Sequence, residues 1–218
     1  MDFQLARSNM VLQQVRPWHV LNNKVLTTLS QIPRENFVPP AYAKLAYSDL
    51  DVPLEEGQIM LPPKTVGRAL AALELTGTEK VLEIGTGSGY VTACLGKLAK
   101  SVVSIEICAS LLSQAEKHLS ALNYRNLNLI QGNAVFGWEA LAPFDVILVT
   151  GCYPLGVPQK LLSQLKAGGR IFAFCGQGPM IEATLTQSSK TGGYETISLF
   201  ETKVPPLLHT PCPPVFNF

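Results

Sequence analysis

Glu83-Ile84-Gly85-Thr86-Gly87-Ser88-Gly89-Tyr90 is the segment whose residue types and spacing point most directly to chemistry. It joins an apolar run, Lys80 to Ile84, to a helical run, Tyr90 to Leu98. Glycines let a backbone turn sharply and let a ligand approach the main chain. Three of them would weaken a turn that held nothing. The G-x-G-x-G spacing is one residue shorter than the dinucleotide fingerprint, and no Gly-Lys-Ser/Thr ends it as in a phosphate-binding P-loop. Glu83 stands just before the loop, and a carboxylate there suits a cationic amino group or a sulfonium better than a phosphate. Glu106 closes the next apolar run, about 20 residues on, where an acid can accept both hydroxyls of a ribose. Glu83, Gly85, Thr86, Gly87, Gly89 and Glu106 are therefore the candidate ligand-binding residues.

Such a loop must sit at the carboxyl end of a strand. The runs Lys80–Ile84, Ser101–Glu106, Leu127–Gln131, Phe144–Thr150 and Arg170–Cys175 read as strands, and Phe144–Thr150 is apolar almost throughout, as expected for a strand buried on both faces. Helical patterns separate most of them: Tyr90–Leu98, Ala109–Leu122 with Leu111, Leu112, Ala115 and Leu119 on one face, and Val157–Leu165, stopped by Gly168-Gly169. Alternation of strand and helix with short connections predicts an α/β fold, a doubly wound Rossmann-like sheet, mostly parallel. Ile181–Gln187 and Tyr194–Thr202, joined through Lys190 to Gly193, predict an antiparallel C-terminal hairpin. The tail with Pro205, Pro206, Pro211, Pro213 and Pro214 can continue neither sheet nor helix.

Before the strands, Leu5, Met10, Val11 and Val15 recur at helical spacing until Pro17. Val20, Val25, Leu26 and Leu29 predict a second helix closed by Ile32-Pro33, and a short helix is expected around Tyr42 to Ala46. A further helix is expected over Val66 to Leu75. Residues 51–63, with Pro53, Gly57, Pro62 and Pro63, read as a loop or edge ribbon. The chain thus divides into an N-terminal helical leader with a covering loop, 1–63, and a ligand-binding core with a Pro-rich tail, 64–218.

Hydrophobic residues make up 47% of the 218 and charged residues 15%, which excludes a disordered chain. A formal net charge of +1 removes a general polyelectrolyte case for nucleic acid. No apolar run is long enough to span a membrane, and the first residues lack the basic and apolar regions of a secretion signal. Cys94, Cys108, Cys152, Cys175 and Cys212 form no CxxC pair and no zinc spacing, so no metal is expected. A reduced, cytoplasmic protein follows, monomeric or weakly dimeric. His19, His118 and His209 stand apart as surface or structural residues. Phe136, Trp138 and Phe144 read as core, and Trp18 as packing the leader onto the sheet.

VLEIGTGSGY and SIE resemble the first two motifs of class I S-adenosylmethionine-dependent methyltransferases. NMVLQQVRPWHV (9–20), IPRENFVPPAY (32–42), LEEGQIMLPP (54–63), APFDVILVTG (142–151) and LFETKVPPL (199–207) are similar to the protein-L-isoaspartate O-methyltransferase family, in a divergent proteobacterial branch. The resemblance implies S-adenosylmethionine as donor and protein repair by carboxyl methylation of isoaspartyl residues. It places Glu83 and the glycines around the methionine and ribose, Glu106 on the ribose hydroxyls and Asn133-Ala134 beside the adenine. The loop Gly57 to Leu61 would cover the methyl donor and face a protein or peptide carboxylate, or a small molecule. Gln58, Ile59, Met60 and Leu61 are then the catalytic candidates, by positioning alone. Where the family reads G-Q-T-I-S this chain has Gly57-Gln58-Ile59-Met60-Leu61, so both hydroxyls are missing. The usual Gly-Asp-Gly is here Gly132-Asn133-Ala134, whose asparagine still accepts a bond from an adenine amino group. The altered loop leads us to expect weak isoaspartyl activity. Two other outcomes stay open: a methyltransferase of the same fold with a different acceptor, or a non-catalytic S-adenosylmethionine-binding protein.

Overall fold

Runs of valine, isoleucine and leucine with few charges pair best in the middle of a sheet; four of the five predicted runs do so here, and the fifth, Leu127–Gln131, forms a half-exposed edge. The computed structural model describes residues 2–189 and 192–212. The core strands are β3 (Lys80–Ile84), β4 (Ser101–Glu106), β5 (Leu127–Gln131), β6 (Phe144–Tyr153), β7 (Leu165–Gln177), β8 (Met180–Ser188) and β9 (Tyr194–Thr202). They form one sheet in the order β5-β4-β3-β6-β7-β8-β9. The first five are parallel, and β8 and β9 add on antiparallel at one edge. The expected connection through Lys190 lies partly outside the described residues. A small antiparallel hairpin, β1 (Val52–Pro53) with β2 (Ile59–Met60), forms the predicted edge ribbon.

The helices α3 (Pro63–Ala72), α4 (Tyr90–Leu98) and α5 (Ala109–Ser120) match the predicted runs within a few residues. With α2 (Asn23–Gln31) they cover one face of the sheet around a single large core. The opposite face carries a smaller core under α6 (Gln159–Leu162) and Ala134, Val135 and Trp138. Connections from β3 and β6 diverge at the middle of the sheet, which opens a crevice at their carboxyl ends.

The leader folds into the same large core: Met10, Val11, Val15, Val20, Val25 and Leu29 are all buried in it. The helix α1 (Phe3–Asn9) runs on through a wider turn, Met10–Val15. Leu5 is 59% exposed, so the buried stripe starts at Met10 and not at Leu5. Trp18 is also largely exposed, with the Lys64 ammonium 4.3 Å from its ring centroid. Phe136 lies at the surface and not in the core, whereas Phe144 is fully enclosed.

The helix expected over 157–165 shrinks to the single turn α6, and Gly168-Gly169 lies inside β7. Pairing with β6 jumps from Leu165 to Arg170, so these glycines form a bulge. A Cβ on Gly169 would meet the Lys166 and Asp145 carbonyl oxygens at 2.9 and 3.0 Å, which leaves room only for glycine. No helix among the described residues is long and apolar enough to cross a membrane.

Candidate functional site

The glycine loop emerges from β3 and turns into α4 with Gly85, Gly87 and Gly89 all at positive φ (92°, 53° and 85°). These angles are strained for any residue with a Cβ. A cleft of about 650 Å3, open solvent at its mouth included, lies against the loop. Gln58, Ile59, Gly85, Gly87, Glu106, Asn133 and Ala134 line it, so seven candidates from both halves of the chain meet there. A narrower recess adjoins it, sharing Ile59, Gly85, Gly87 and Thr150, and is walled by Met60, Leu61, Thr86 and Tyr90. All four acceptor-loop residues therefore face the glycine loop.

Glu106 is 4% exposed and still lines the cleft. Its Oε2 accepts the Gly87 N–H at 2.8 Å and its Oε1 accepts the Cys108 N–H at 3.0 Å. Two main-chain donors thus fix the carboxylate, and each oxygen keeps lone-pair capacity for a ligand hydroxyl. Asn133 turns its Oδ1 to the Val135 N–H at 3.0 Å, which shapes the loop after β5.

Glu83 and Gly89 are placed otherwise than expected. Successive strand residues face opposite sides of a sheet. Ile84 reaches the cleft, so Glu83 points into the large core on the other side. Its Oε2 accepts from Thr92 Oγ1 and Ser104 Oγ, both at 2.6 Å, and the residue is fully buried. Burial pushes its carboxyl up to about 8, against the hydrogen bonds from Ser104 and Thr92 and with a small contribution from the Glu106 charge. Burial therefore favours the neutral form of Glu83, whose side chain lies on the face of the sheet away from the cleft. Gly89 caps α4 and lets it close on α5, since a Cβ there would sit 3.1 Å from Ala115 Cβ.

Sequence reasoning missed the far wall. Thr150 and Gly151 at the end of β6, with Pro205, Leu207 and Leu208 after β9, complete the cleft. The Cys152 N–H donates to Pro205 O at 2.9 Å and the Leu207 N–H donates to Cys152 O at 3.0 Å, so residues 205–207 strap across the end of β6. Leu207 presses on Gly151, where a Cβ would be 2.7 Å from its Cδ2. The Thr150 hydroxyl lies 3.0 Å from Ile84 O and 2.7 Å from Gly85 O and donates to these carbonyls. Of the three histidines, only His118 contacts the loop, through Nδ1 to Ser88 O at 3.0 Å. The aromatic ring of Phe37 backs it.

Comparison with known proteins settles the family. Residues 6–204 match the family model of protein-L-isoaspartate(D-aspartate) O-methyltransferase. The chain belongs to this family. A protein-L-isoaspartate O-methyltransferase of Syntrophus aciditrophicus is 46% identical over 169 residues, 78% of this chain and 77% of that one. One from Koribacter versatilis is 37% identical over 206 residues, 94% and 92% of the two chains. A solved family structure from Plasmodium falciparum, in complex with S-adenosyl-L-homocysteine, shares the fold with a TM-score of 0.76 at 19% identity, over 92% of this chain and 97% of that one.

As a member of the isoaspartate O-methyltransferase family, the chain is an S-adenosylmethionine-dependent O-methyltransferase. The residues present fit such a donor: a fixed, cleft-facing carboxylate for a diol, a glycine loop with no Cβ in the way, and an apolar wall of Ile105, Ile107 and Leu111 beside Asn133 for a flat base. Glu106→Ala is expected to weaken S-adenosylhomocysteine binding by roughly 1.5–3 kcal/mol, the loss of charge-assisted hydrogen bonds. Isothermal calorimetry reads this directly; an unchanged dissociation constant would remove Glu106 from the site. NAD, titrated in the same way, should give no heat of binding.

Proposed function

We propose that this protein methylates the side-chain carboxylate of isoaspartyl residues in damaged proteins or peptides. The observation that carries the reading is the juxtaposition of Ile59, Met60 and Leu61 with Gly85, Gly87 and Thr150 across one recess, with Gln58 on the adjoining cleft. In this reading residues 1–63 supply the acceptor side of the cleft and the rest of the chain the donor side. The similar proteins are protein-L-isoaspartate O-methyltransferases, which favours neither a different acceptor nor a non-catalytic role.

The bound donor supplies an electrophilic methyl group on a sulfonium. A carboxylate acceptor is already ionised at neutral pH, so no side chain has to remove a proton. The work of the chain is to hold two reactants in line and keep water out. Met60 and Leu61 are 5% and 6% exposed and make an apolar lid strand over the recess. Thr150, fixed to the Ile84 and Gly85 carbonyls, holds the loop opposite. With Ile59 and Leu61 in place of hydroxyl side chains, polar contacts to the acceptor carboxylate fall to the main chain and to the remaining polar lining, Gln58, Ser88 and Thr150.

An isoaspartyl peptide and labelled S-adenosylmethionine test the reading: labelled methyl ester should form, and slowly compared with relatives that carry both hydroxyls. If the peptide is not esterified while S-adenosylhomocysteine binds, the acceptor is another molecule. Ile59→Thr with Leu61→Ser should raise the rate, by up to roughly a hundredfold if two hydrogen bonds of about 1–1.5 kcal/mol each form only in the transition state. No gain would mean that the side chains at positions 59 and 61 do not decide the acceptor.

A further inference from the structure

Arg34 is a charged side chain with no solvent contact and no counter-ion. It is 0% exposed and follows α2 in a short turn, Arg34–Asn36. Its Nε donates to Ala46 O and its Nη2 to Leu61 O, each at 2.8 Å. Its guanidinium carbon lies 4.9 Å from the centroid of the Tyr90 ring. Among the described residues, neither Nη1 nor the Tyr90 hydroxyl makes a hydrogen bond of ordinary geometry. Among the described residues the ion pairs join Arg7 to Glu35, Lys64 to Asp49, Lys160 to Glu139, Lys166 to Asp145 and Arg170 to Glu79; none involves Arg34.

A buried guanidinium stays protonated, and holding one without a counter-ion costs several kcal/mol. Burial favours the neutral form of the carboxyl that shares this core, Glu83, which therefore does not balance it. Both groups that Arg34 grips on the cleft side, Leu61 and Tyr90, are walls of the recess beside the glycine loop. The donor carries a carboxylate on its amino-acid end, and the acceptor is itself a carboxylate. Either would bring one negative charge into a recess whose back wall conceals one positive charge, in surroundings of low dielectric where such an attraction is strong.

We propose that Arg34 is a positioning residue: its charge balances a ligand carboxylate in the recess between Leu61 and Tyr90, and its bond to the Leu61 carbonyl ties the loop to the leader there. Arg34 touches neither reactant. It acts through Leu61 and Tyr90, and it links the leader at Ala46 to both sides of the cleft.

The inference rests on the methyltransferase reading, and its test is chosen to fail separately. Calorimetry compares S-adenosylhomocysteine with its decarboxylated analogue in the wild type, Arg34→Gln and Arg34→Lys. The acceptor arm compares the KM of an isoaspartyl peptide in the same three proteins. If the donor carboxylate is the partner, Arg34→Gln should weaken S-adenosylhomocysteine about tenfold or more and leave the analogue within threefold. If the acceptor carboxylate is the partner, the peptide KM should rise by the same factor with donor affinity unchanged. Arg34→Lys, with a single amine in place of the planar fork, should fall between the wild type and Arg34→Gln in whichever arm responds. Equal losses for donor product and analogue, with no change in KM, would overturn the proposal. Should Arg34→Gln not fold, the wild type still decides: equal affinity for the two donor compounds, together with equal binding of the peptide and its isoasparagine counterpart, would overturn it. Absence of S-adenosylhomocysteine binding in the wild type would instead refute the methyltransferase reading.

Discussion

Replacing Gly85 with alanine is expected to lower S-adenosylhomocysteine affinity by at least about a hundredfold, the combined cost of backbone strain and steric overlap. Gly85 has φ 92°, outside the conformations open to alanine without strain. An ideal Cβ there would overlap the Thr150 hydroxyl oxygen. That hydroxyl donates to the carbonyls of Ile84 and Gly85, so the methyl group could be accommodated only by breaking the bond that shapes the loop. Gly85→Ala with Thr150→Ala relieves the overlap and leaves the φ strain, so it should recover part of the loss. Gly77→Ala is the control: its φ is 101°, and its nearest neighbour would be 4.0 Å away, far from the cleft. It should lower the melting temperature and leave donor affinity alone. A folded Gly85→Ala protein with wild-type affinity would show that the donor does not lie on this loop.

Glu83→Gln is expected to flatten the pH dependence of stability on the alkaline side. The native carboxyl of Glu83 sits near 8, well above its unfolded value of 4.5, because burial penalises the charged form. The native state therefore holds a proton that the unfolded chain releases. The stabilisation is complete below pH 4.5, shrinks as pH rises, and is gone above pH 8. Between pH 6 and 9 this single group should remove on the order of 2–3 kcal/mol of stability. That is roughly 5–10 °C in melting temperature for a chain of this size. Glutamine has the same shape, can accept from Thr92 and Ser104, and has no proton to lose. The difference between wild type and variant, measured by thermal denaturation at both pH values, cancels the other titrating groups. Parallel pH profiles would show that Glu83 is already ionised in the native state.

Glu83 also shows where the sequence was legible and where it was not. The bounds of β3, α4, β4, β5 and β9 could be read to the residue: apolar runs and glycine punctuation mark β3, α4 and β4, and branched and aromatic residues between turn residues mark the edge strands β5 and β9. Glu106, Asn133 and the loop Gln58–Leu61 were legible as cleft residues, by spacing in the first case and by resemblance in the others. Glu83 was misassigned on proximity to the glycines, although strand alternation put Ile84 on the cleft side. Gly168-Gly169 signals a helix stop and a strand bulge equally well, and only the pairing of β6 with β7 decides between them. The strap at 205–207 has no periodicity at all, since a proline-rich segment held by two main-chain bonds leaves no pattern in side-chain type. Arg34 was equally hidden, because nothing local marks an arginine as buried.

The strap also orders events at the ribosome. Domains built from the amino end can begin folding while synthesis continues. Here the glycine loop and Glu106 are translated early, but the wall made by Pro205, Leu207 and Leu208 follows β9. Leu207 reaches back to Cys152 and Gly151, and Arg68 Nη2 waits for the Leu199 carbonyl 131 residues later. A nascent chain can therefore own every residue of the nucleoside-facing loop and still have no enclosed cleft. The cleft therefore gains its far wall only once residue 208 has been synthesised.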